Sequence, residues 1–228
     1  FQEKGYLAEA IVNYLVFLGW TPADSTKEIM TLEEMVDEFD LSRISAAAAV
    51  YDVQKLTWMN GQYIKKMDPE KLVQKYIPFA VEAGLGTAQE LTEKKAWLKE
   101  VVVSLQERAK TLQELAEASE FYFKLPETYD EKGVRKHFGK PNVEVLLEKG
   151  AAALALLPDW NIESCEAAYR SLIEEEGIKG GELIHPTRLA LSGKTVGPGL
   201  FDLMHVLGKD ETVSRLQAAI RFINQKLH

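Results

Sequence analysis

The chain of 228 residues contains little cysteine and no long apolar stretch, and these absences exclude several classes of protein. A single cysteine, Cys165, cannot form an internal disulfide, and with four scattered histidines it leaves no cysteine-based zinc pattern. No apolar run approaches the roughly 18–20 residues of a membrane span. The chain opens at Phe1 rather than at methionine and shows no signal peptide, which favours a piece of a longer protein. We expect a cytoplasmic protein with no membrane partner.

The charge balance is acidic, with 35 Asp and Glu against 27 Lys and Arg and a formal net charge of -8. A negative chain does not coat nucleic acid through charge alone, so any such contact must come from a local basic face. Residues 132–140 are one candidate, because they hold four basic side chains and His137 without an acid. The alternative is a solvated helix end followed by a loop.

Helical periodicity runs through almost the whole chain, and no strand pattern of useful length appears, so we predict an all-α fold. The first apolar stripe is wide enough to predict a deeply buried helix; it comprises Leu7, Ala10, Ile11, Tyr14, Leu15 and Leu18, widened by Val12, Val16 and Phe17. Helix starts are marked by capping residues at Thr31, Asp68, Thr111, Asn142 and Asn161. The run Gly84-Leu85-Gly86 predicts a stop and a tight domain boundary.

The sequence contains no motif typical of a catalytic site. Gly193-Lys194-Thr195 resembles the end of a P-loop, but Arg188 stands where the first glycine of that motif belongs. No GxSxG, HExxH or CxxC pattern occurs, and Cys165 lies on an apolar stripe, as a small core residue does. The chain is therefore predicted to be a binding or structural module rather than an enzyme.

Arg108 is the most informative single residue. It follows Val101 by seven positions and Leu105 by three, which predicts that it continues the buried face of its helix next to the cap at Thr111. One interpretation is a cation that compensates a helix C-terminus. The other is a planar donor fork that binds a splayed base or a phosphate.

Two further segments are candidates for binding. Residues 186–193 and 197–200 combine glycines, which allow close backbone approach, with stiffening prolines; the alternative is a plain connection between helices. In residues 52–64, the apolar positions are predicted to face the core, so Lys55 would point toward solvent or a phosphate.

Six blocks in order resemble the bacterial-type glutamyl-tRNA synthetases. They are Gly5-Tyr-Leu-Ala-Glu-Ala-Ile-Val-Asn-Tyr-Leu with Leu18-Gly-Trp, Glu28-Ile-Met-Thr-Leu-Glu-Glu, Asp52-Val-Gln-Lys-Leu-Thr-Trp-Met-Asn-Gly-Gln-Tyr-Ile, Glu107-Arg-Ala-Lys-Thr-Leu-Gln-Glu, Pro186-Thr-Arg-Leu-Ala-Leu-Ser-Gly and Gly197-Pro-Gly-Leu-Phe. The resemblance covers only the C-terminal part of the family, because neither ATP signature of its catalytic domain occurs here. It implies a helical stem-contact domain over residues 1–84 and a two-lobed helical anticodon-binding region over residues 85–228, with a sub-lobe boundary near 140–160.

The resemblance also implies residue roles. Arg108 matches the position that reads the third anticodon base, where arginine favours cytosine over guanine. Arg188, Pro198 and Leu200 match contacts to the first two anticodon bases, and Gly197 replaces a threonine found there in some members. Arg43 and Lys55 match positions that contact the tRNA stem near its phosphates.

The implied function is binding of tRNA(Glu) by a monomeric fragment that is inactive by itself. The parent protein would join glutamate to its tRNA with ATP and Mg²⁺, while the fragment holds no cofactor or metal and carries no catalytic residue. The alternative is a non-catalytic α-helical scaffold for protein interactions, which the acidic charge favours.

Overall fold

The computed structural model describes residues 1–45 and 50–226, and these residues are helical without a single β-strand. One isolated antiparallel bridge joins Trp20 and Ile44. The α-helices are α1 (Ala8–Phe17), α2 (Leu32–Glu38), α3 (Val53–Lys66), α4 (Pro69–Glu82), α5 (Ala88–Glu93), α6 (Lys95–Gln106), α7 (Leu112–Phe123), α8 (Glu131–Gly133), α9 (Val143–Ala155), α10 (Ile162–Glu175), α11 (Gly180–Ser192), α12 (Leu200–Leu207) and α13 (Lys209–Lys226). Short 3-10 turns span Gln2–Lys4 and Leu41–Arg43, and a π-helical turn spans Val134–Phe138. The predicted all-α fold is confirmed.

The chain divides into two compact units, Phe1–Ala118 and Ser119–His228, and the division falls inside α7. The first unit holds α1 to α6 and begins α7, while the second holds the remaining helices. The functional boundary at residue 84 and the sub-lobe boundary near 140–160 stay predictions.

Helix starts follow the local sequence. The Thr31 side chain accepts from the Glu34 amide and the Glu34 carboxylate accepts from Thr31, which completes the predicted capping box of α2. Asp68 accepts from the amides of Glu70 and Lys71, just before the proline that opens α4. Such caps satisfy amide groups that the first turn of a helix leaves unpaired.

Asn142 does not act as the predicted cap of α9. It stands at the N-cap position, but its backbone is left-handed, with φ of 61°, and its side chain makes no capping hydrogen bond. Because that conformation differs from the extended backbone of an ordinary N-cap, the side chain does not reach the amides of the first turn.

The prediction that α1 is deeply buried is wrong. Only Ala10, Asn13 and Tyr14 of this helix are buried, whereas Leu15 remains 54% exposed. Because α2 and α3 pack against only part of its surface, a wide apolar stripe leaves its margin in solvent. Other large apolar side chains exposed among the described residues up to Trp58 are Phe1, Val12, Leu32, Val36, Phe39, Leu41, Ile44, Val50, Tyr51, Val53 and Trp58.

Helix C-termini are held by side chains from other helices. The amide nitrogen of Gln106, at the end of α6, donates to the carbonyls of Ile64 and Met67 at 2.9 and 2.8 Å. Ile64 lies in the last turn of α3 and Met67 directly follows the helix, where intrahelical partners run out. A buried amide from α6 therefore fixes the end of α3.

Arg215 holds the C-terminal ends of two helices in the second unit. Its side chain is 1% exposed, and its guanidinium donates to the carbonyls of Phe121 and Leu191 at 2.5 and 2.7 Å. These carbonyls lie in the last turns of α7 and α11, where a cation also meets the negative ends of the helix dipoles. Glu211, one turn earlier on α13, accepts a third bond at 2.6 Å.

We expect Arg215→Met to lower the free energy of unfolding of the protein by about 2–4 kcal/mol. The substitution keeps much of the side-chain volume but leaves two buried carbonyls without donors, and each such loss costs roughly 1–3 kcal/mol. Urea titration followed by circular dichroism measures the change. The matched control is Arg221→Met at an exposed position of α13, which should shift the same value by less than about 0.5 kcal/mol. Equal effects of the two substitutions would contradict this role for Arg215.

Candidate nucleic-acid interface

Arg108 lies in the short loop between α6 and α7, and its side chain is exposed. The expectation that it continues the buried face of α6 is wrong. The helix ends at Gln106, so the three- and seven-residue spacing from Leu105 and Val101 no longer places a side chain on the same face. Arg108 is presented to solvent at the helix–helix joint that the sequence predicted.

The loop that carries Arg108 is fastened to α3 by Asn60. This side chain is fully buried; its oxygen accepts from the Leu7 amide at 2.8 Å and its nitrogen donates to the Lys110 carbonyl at 2.6 Å. At Gly61 the loop lies in contact with α3, since the Lys110 Cα would be 3.4 Å from a Cβ placed there. A polar clamp therefore holds the backbone two residues beyond Arg108.

The beginning of the chain closes the other side of this joint. The Leu112 amide, the first of α7, donates to the Gly5 carbonyl at 3.1 Å. Gly5 has φ of 76°, and a Cβ there would lie 2.5 Å from the Leu112 nitrogen, so only glycine fits. Glu107, beside Arg108, forms an ion pair with Lys65 of α3. The Arg108 loop thus has fixed neighbours on both sides.

The second candidate lies in the other unit, where α11 turns into the loop before α12. The Arg188 guanidinium donates to the Pro198 carbonyl, so the structure brings together two predicted site residues. Ser192 stiffens the turn, since its hydroxyl donates to the Arg188 carbonyl at 2.8 Å and accepts from the Lys194 amide at 3.2 Å. The predicted corner is a tied loop rather than a loose connection.

The members of this corner differ in what they offer to a ligand. Pro198 and Leu200 are buried, the latter at 3% exposure, so their side chains form the base of the loop. Gly197 is half-buried, and a Cβ placed on it meets nothing within 4 Å. Space for a side chain therefore exists at the position where some relatives of the resembled family carry threonine.

A cavity of about 730 Å³ opens beside the same corner. Its lining comprises Glu120, Phe121, Lys124, Leu125, Pro126, Glu127, Thr128, Tyr129, Asp130, Glu131, Ser192, Gly193 and Lys194. Four carboxylates face two lysines in this set, so the field disfavours a phosphate inside the cavity.

The predicted stem-contact residues lie in the first unit. Lys55 is half-buried on α3 and its ammonium lies 2.9 Å from the Glu28 carboxylate, so a phosphate would have to replace that partner. Arg43 is exposed at the end of a 3-10 turn; within residues 1–45 and 50–226 it forms no ion pair, although its charge helps to lower the pKa of Asp40 after the stronger effect of Ser42.

Cys165 is a core residue, as predicted. It is fully buried on α10, and burial raises the pKa of its thiol to about 11, so it is protonated near neutral pH. In the described part of the chain, no group of His, Cys, Asp or Glu is arranged to hold a metal ion. No described helix is both long and apolar enough to cross a membrane.

Sequence reasoning missed the residues that hold the two loops. Asn60 and Arg215 both stand on otherwise apolar stripes, Asn60 four residues after Leu56 and Arg215 four before Ala219. A polar residue at a core position must find partners, because an unpaired one is costly. That signal identifies both residues as anchors, but it does not name the loops that they hold.

We expect Asn60→Asp to loosen the Arg108 loop. The carboxylate can still accept from Leu7 but cannot donate to Lys110, and it would face that carbonyl across 2.6 Å. The free energy of unfolding should fall by about 2–3 kcal/mol, and amide hydrogen exchange of residues 108–112 should become faster. The control Gln62→Glu makes the same chemical change at a half-exposed position of α3. If it loosens the loop equally, the clamp is not Asn60.

Comparisons with protein families match two parts of the chain. The family model described as an anticodon binding domain matches residues 71–220, which is well over half of the chain. The model of the catalytic domain of class I tRNA synthetases (E and Q) matches residues 1–58.

Curated relatives and solved structures match along the whole chain. It is 48% identical over 227 residues to glutamate–tRNA ligase 1 of Caldanaerobacter subterraneus subsp. tengcongensis and 43% identical over 228 residues to glutamate–tRNA ligase of Moorella thermoacetica. All of this chain is covered in both cases, but only 46% of each relative, so the chain spans less than half of their length.

The crystal structure of a glutamate tRNA ligase from Elizabethkingia meningosepticum in complex with its amino acid superimposes with a TM-score of 0.86 at 33% identity. That alignment covers 97% of this chain and 42% of the other. The chain therefore belongs to the anticodon binding domain family, and over almost its whole length it resembles the part of bacterial glutamate–tRNA ligases that contains that domain.

Proposed function

We propose that this chain binds tRNA(Glu) and reads its anticodon, and that it is the recognition part of a glutamate–tRNA ligase. The observation that carries the proposal is Arg108, an exposed arginine on a loop whose backbone is clamped by a buried asparagine. A clamped loop loses little conformational freedom on binding, so more of the interaction energy is expressed as affinity and selectivity.

Arg108 is the reader of the third anticodon base. A guanidinium presents several donors in one plane, and cytosine offers its O2 and N3 acceptors when it is unstacked. Guanine presents N–H donors at its N1 and N2 positions, and a guanidinium cannot pair with them because it has donors and no acceptor. Arginine here therefore favours a third base of cytosine, the feature that distinguishes tRNAs for glutamate from those for glutamine.

The corner formed by Arg188, Gly197, Pro198 and Leu200 contacts the first two anticodon bases. Since Pro198 and Leu200 bury their side chains, their contribution is the shape and the backbone groups of the loop. The Arg188 guanidinium, held by the Pro198 carbonyl, adds a cation at its edge. Such a corner recognises the edges of unstacked bases through fixed backbone groups.

Arg43 and Lys55 contact the phosphates of the tRNA stem. Arg43 is exposed, and Lys55 exchanges Glu28 for phosphate, which costs little because an exposed ion pair contributes at most about 1 kcal/mol. In this assignment residues 1–84 form the stem-contact domain and residues 85–228 the anticodon-binding region.

The full-length protein would join glutamate to tRNA(Glu) in the cytoplasm, with ATP and Mg²⁺ held outside this chain. Neither ATP signature of the family occurs in the sequence. The described residues contain no cluster of His, Cys, Asp or Glu side chains arranged to hold a metal ion. The chain supplies recognition as a monomer, and an aminoacylation assay on it alone is expected to be blank.

We expect Arg108→Gln to relax discrimination at the third anticodon base. Fluorescence anisotropy measures binding of the chain to two labelled anticodon stem-loops of tRNA(Glu) that differ only in C or G at that base. The wild-type chain should prefer C by about 10- to 100-fold, since a good charged readout is worth roughly 1–3 kcal/mol, and the substitution should remove most of this preference.

The matched control is Arg170→Gln, which removes a similarly exposed arginine of α10 that pairs with Glu166. It should leave the preference unchanged. Saturable binding that weakens with salt supports the function itself. An unchanged preference in Arg108→Gln overturns the residue assignment, whereas absence of salt-sensitive binding by the wild-type chain overturns tRNA binding altogether.

A further inference from the structure

The segment from Lys132 to Lys140 forms a cationic surface that the proposed anticodon readers do not use. Its four basic side chains, Lys132, Arg135, Lys136 and Lys140, are all exposed. None of the four forms an ion pair within the part of the chain that the structure describes, although the protein as a whole is acidic.

Two acids, Asp130 and Glu131, directly precede the segment. Asp130 caps the segment, with its carboxylate accepting from the Gly133 amide at 2.6 Å. The carboxylate of Asp130 is therefore tied to the backbone. Glu131 is exposed at the entrance of the segment, on the side of the acidic cavity.

The backbone of this segment is a π-helical turn, in which the Gly139 amide donates to the Val134 carbonyl five residues earlier, at 2.9 Å. Such turns are rare and often mark functional sites. Here His137 and Phe138 are buried while Arg135 and Lys136 are exposed, so the turn separates an anchoring side from a charged side.

His137 adds no further charge to the surface. It is 7% exposed and its ring lies 5.1 Å from that of His185. Burial, and then the charges of His185, Lys136 and Lys140, lower the pKa of His137, which keeps it neutral at neutral pH. The positive field above the turn therefore comes from the four exposed cations.

The turn packs directly against the proposed base-reading corner. A Cβ on Gly133 would lie 2.7 Å from the Thr195 methyl and 3.0 Å from a Leu189 methyl, so any larger residue would have to displace these side chains. The Asp130 amide donates to the Gly193 carbonyl at 2.9 Å. The segment that carries the cations therefore lies beside the corner at residues 193–200.

We propose that Lys132, Arg135, Lys136 and Lys140 bind the phosphate backbone of the RNA strand whose bases meet the corner at residues 193–200. The inference rests on the proposed function and extends it to a surface with no base-reading role. Cations that form no ion pair within the described residues, beside a base-reading loop, match a strand of phosphates, whereas the acidic cavity that adjoins the same loop repels such a strand.

The double variant Arg135→Gln with Lys136→Gln tests this assignment. Anisotropy titrations of the chain with the same two stem-loops, carrying C or G at the third anticodon base, are made between 50 and 200 mM salt. If each side chain neutralises one phosphate, the slope of log affinity against log salt should become shallower by about 1.4–1.8. Affinity at 100 mM salt should fall by about 10- to 50-fold, equally for both RNAs, because phosphate contacts carry no base preference.

The matched control is Lys71→Gln with Lys75→Gln, which removes two exposed lysines of α4. The proposal is overturned if the control pair lowers the slope as much, or if the Arg135 and Lys136 variant keeps the wild-type slope. A changed ratio between C and G in that variant also overturns it, because the side chains would then read bases. Circular dichroism confirms that both variants are folded.

The titrations distinguish anticodon recognition from phosphate binding by the four cations. Wild-type binding with an Arg108-dependent preference for C, together with an unchanged slope in the double variant, leaves anticodon recognition intact and overturns only the phosphate surface. Absence of any salt-sensitive binding by the wild-type chain overturns both.

Discussion

The architecture depends on how it satisfies the carbonyl groups at the ends of its helices. The last turn of each helix leaves carbonyls without intrahelical partners, and burying them unpaired is expensive. Gln106 supplies donors to the end of α3, and Arg215 supplies donors to the ends of α7 and α11. Gln106 and Leu191 lie just before the two candidate recognition loops, so their bonds also fix the points at which those loops begin.

This arrangement separates rigidity from recognition. Asn60 and Arg215 are buried and donate to backbone carbonyls, while Arg108 and the lysines around the π-helical turn face solvent. Desolvated hydrogen bonds resist exchange with water, so the loops keep their shape, whereas exposed cations remain hydrated and able to change partners. An acidic protein can accept an anionic ligand in this way, because exposed cations lie on segments whose backbone is held in place.

Much of the fold was accessible from sequence because helix starts are coded locally. Thr31 and Asp68 stand within three residues of the amides that they cap, and the structure confirms both. Helix ends and burial were less accessible because they depend on distant partners. The spacing of Arg108 from Leu105 predicted burial, but α6 stops first, held at Gln106 by carbonyls some forty residues earlier in the chain. The roles given to Arg108, Arg188, Gly197, Pro198, Leu200, Arg43 and Lys55 came from family resemblance and stay predictions.

The π-helical turn at Val134–Phe138 has one more residue per turn than an α-helix would have there. Loss of a single residue would let the turn relax to α-helical geometry and rotate the side chains before it by about 100° relative to those after it. His137 could then no longer stay buried while Lys136 stays exposed. Surface connections usually tolerate changes in length. In this turn the number of residues determines which side chains face the interior, so substitutions should be tolerated more readily than insertions or deletions.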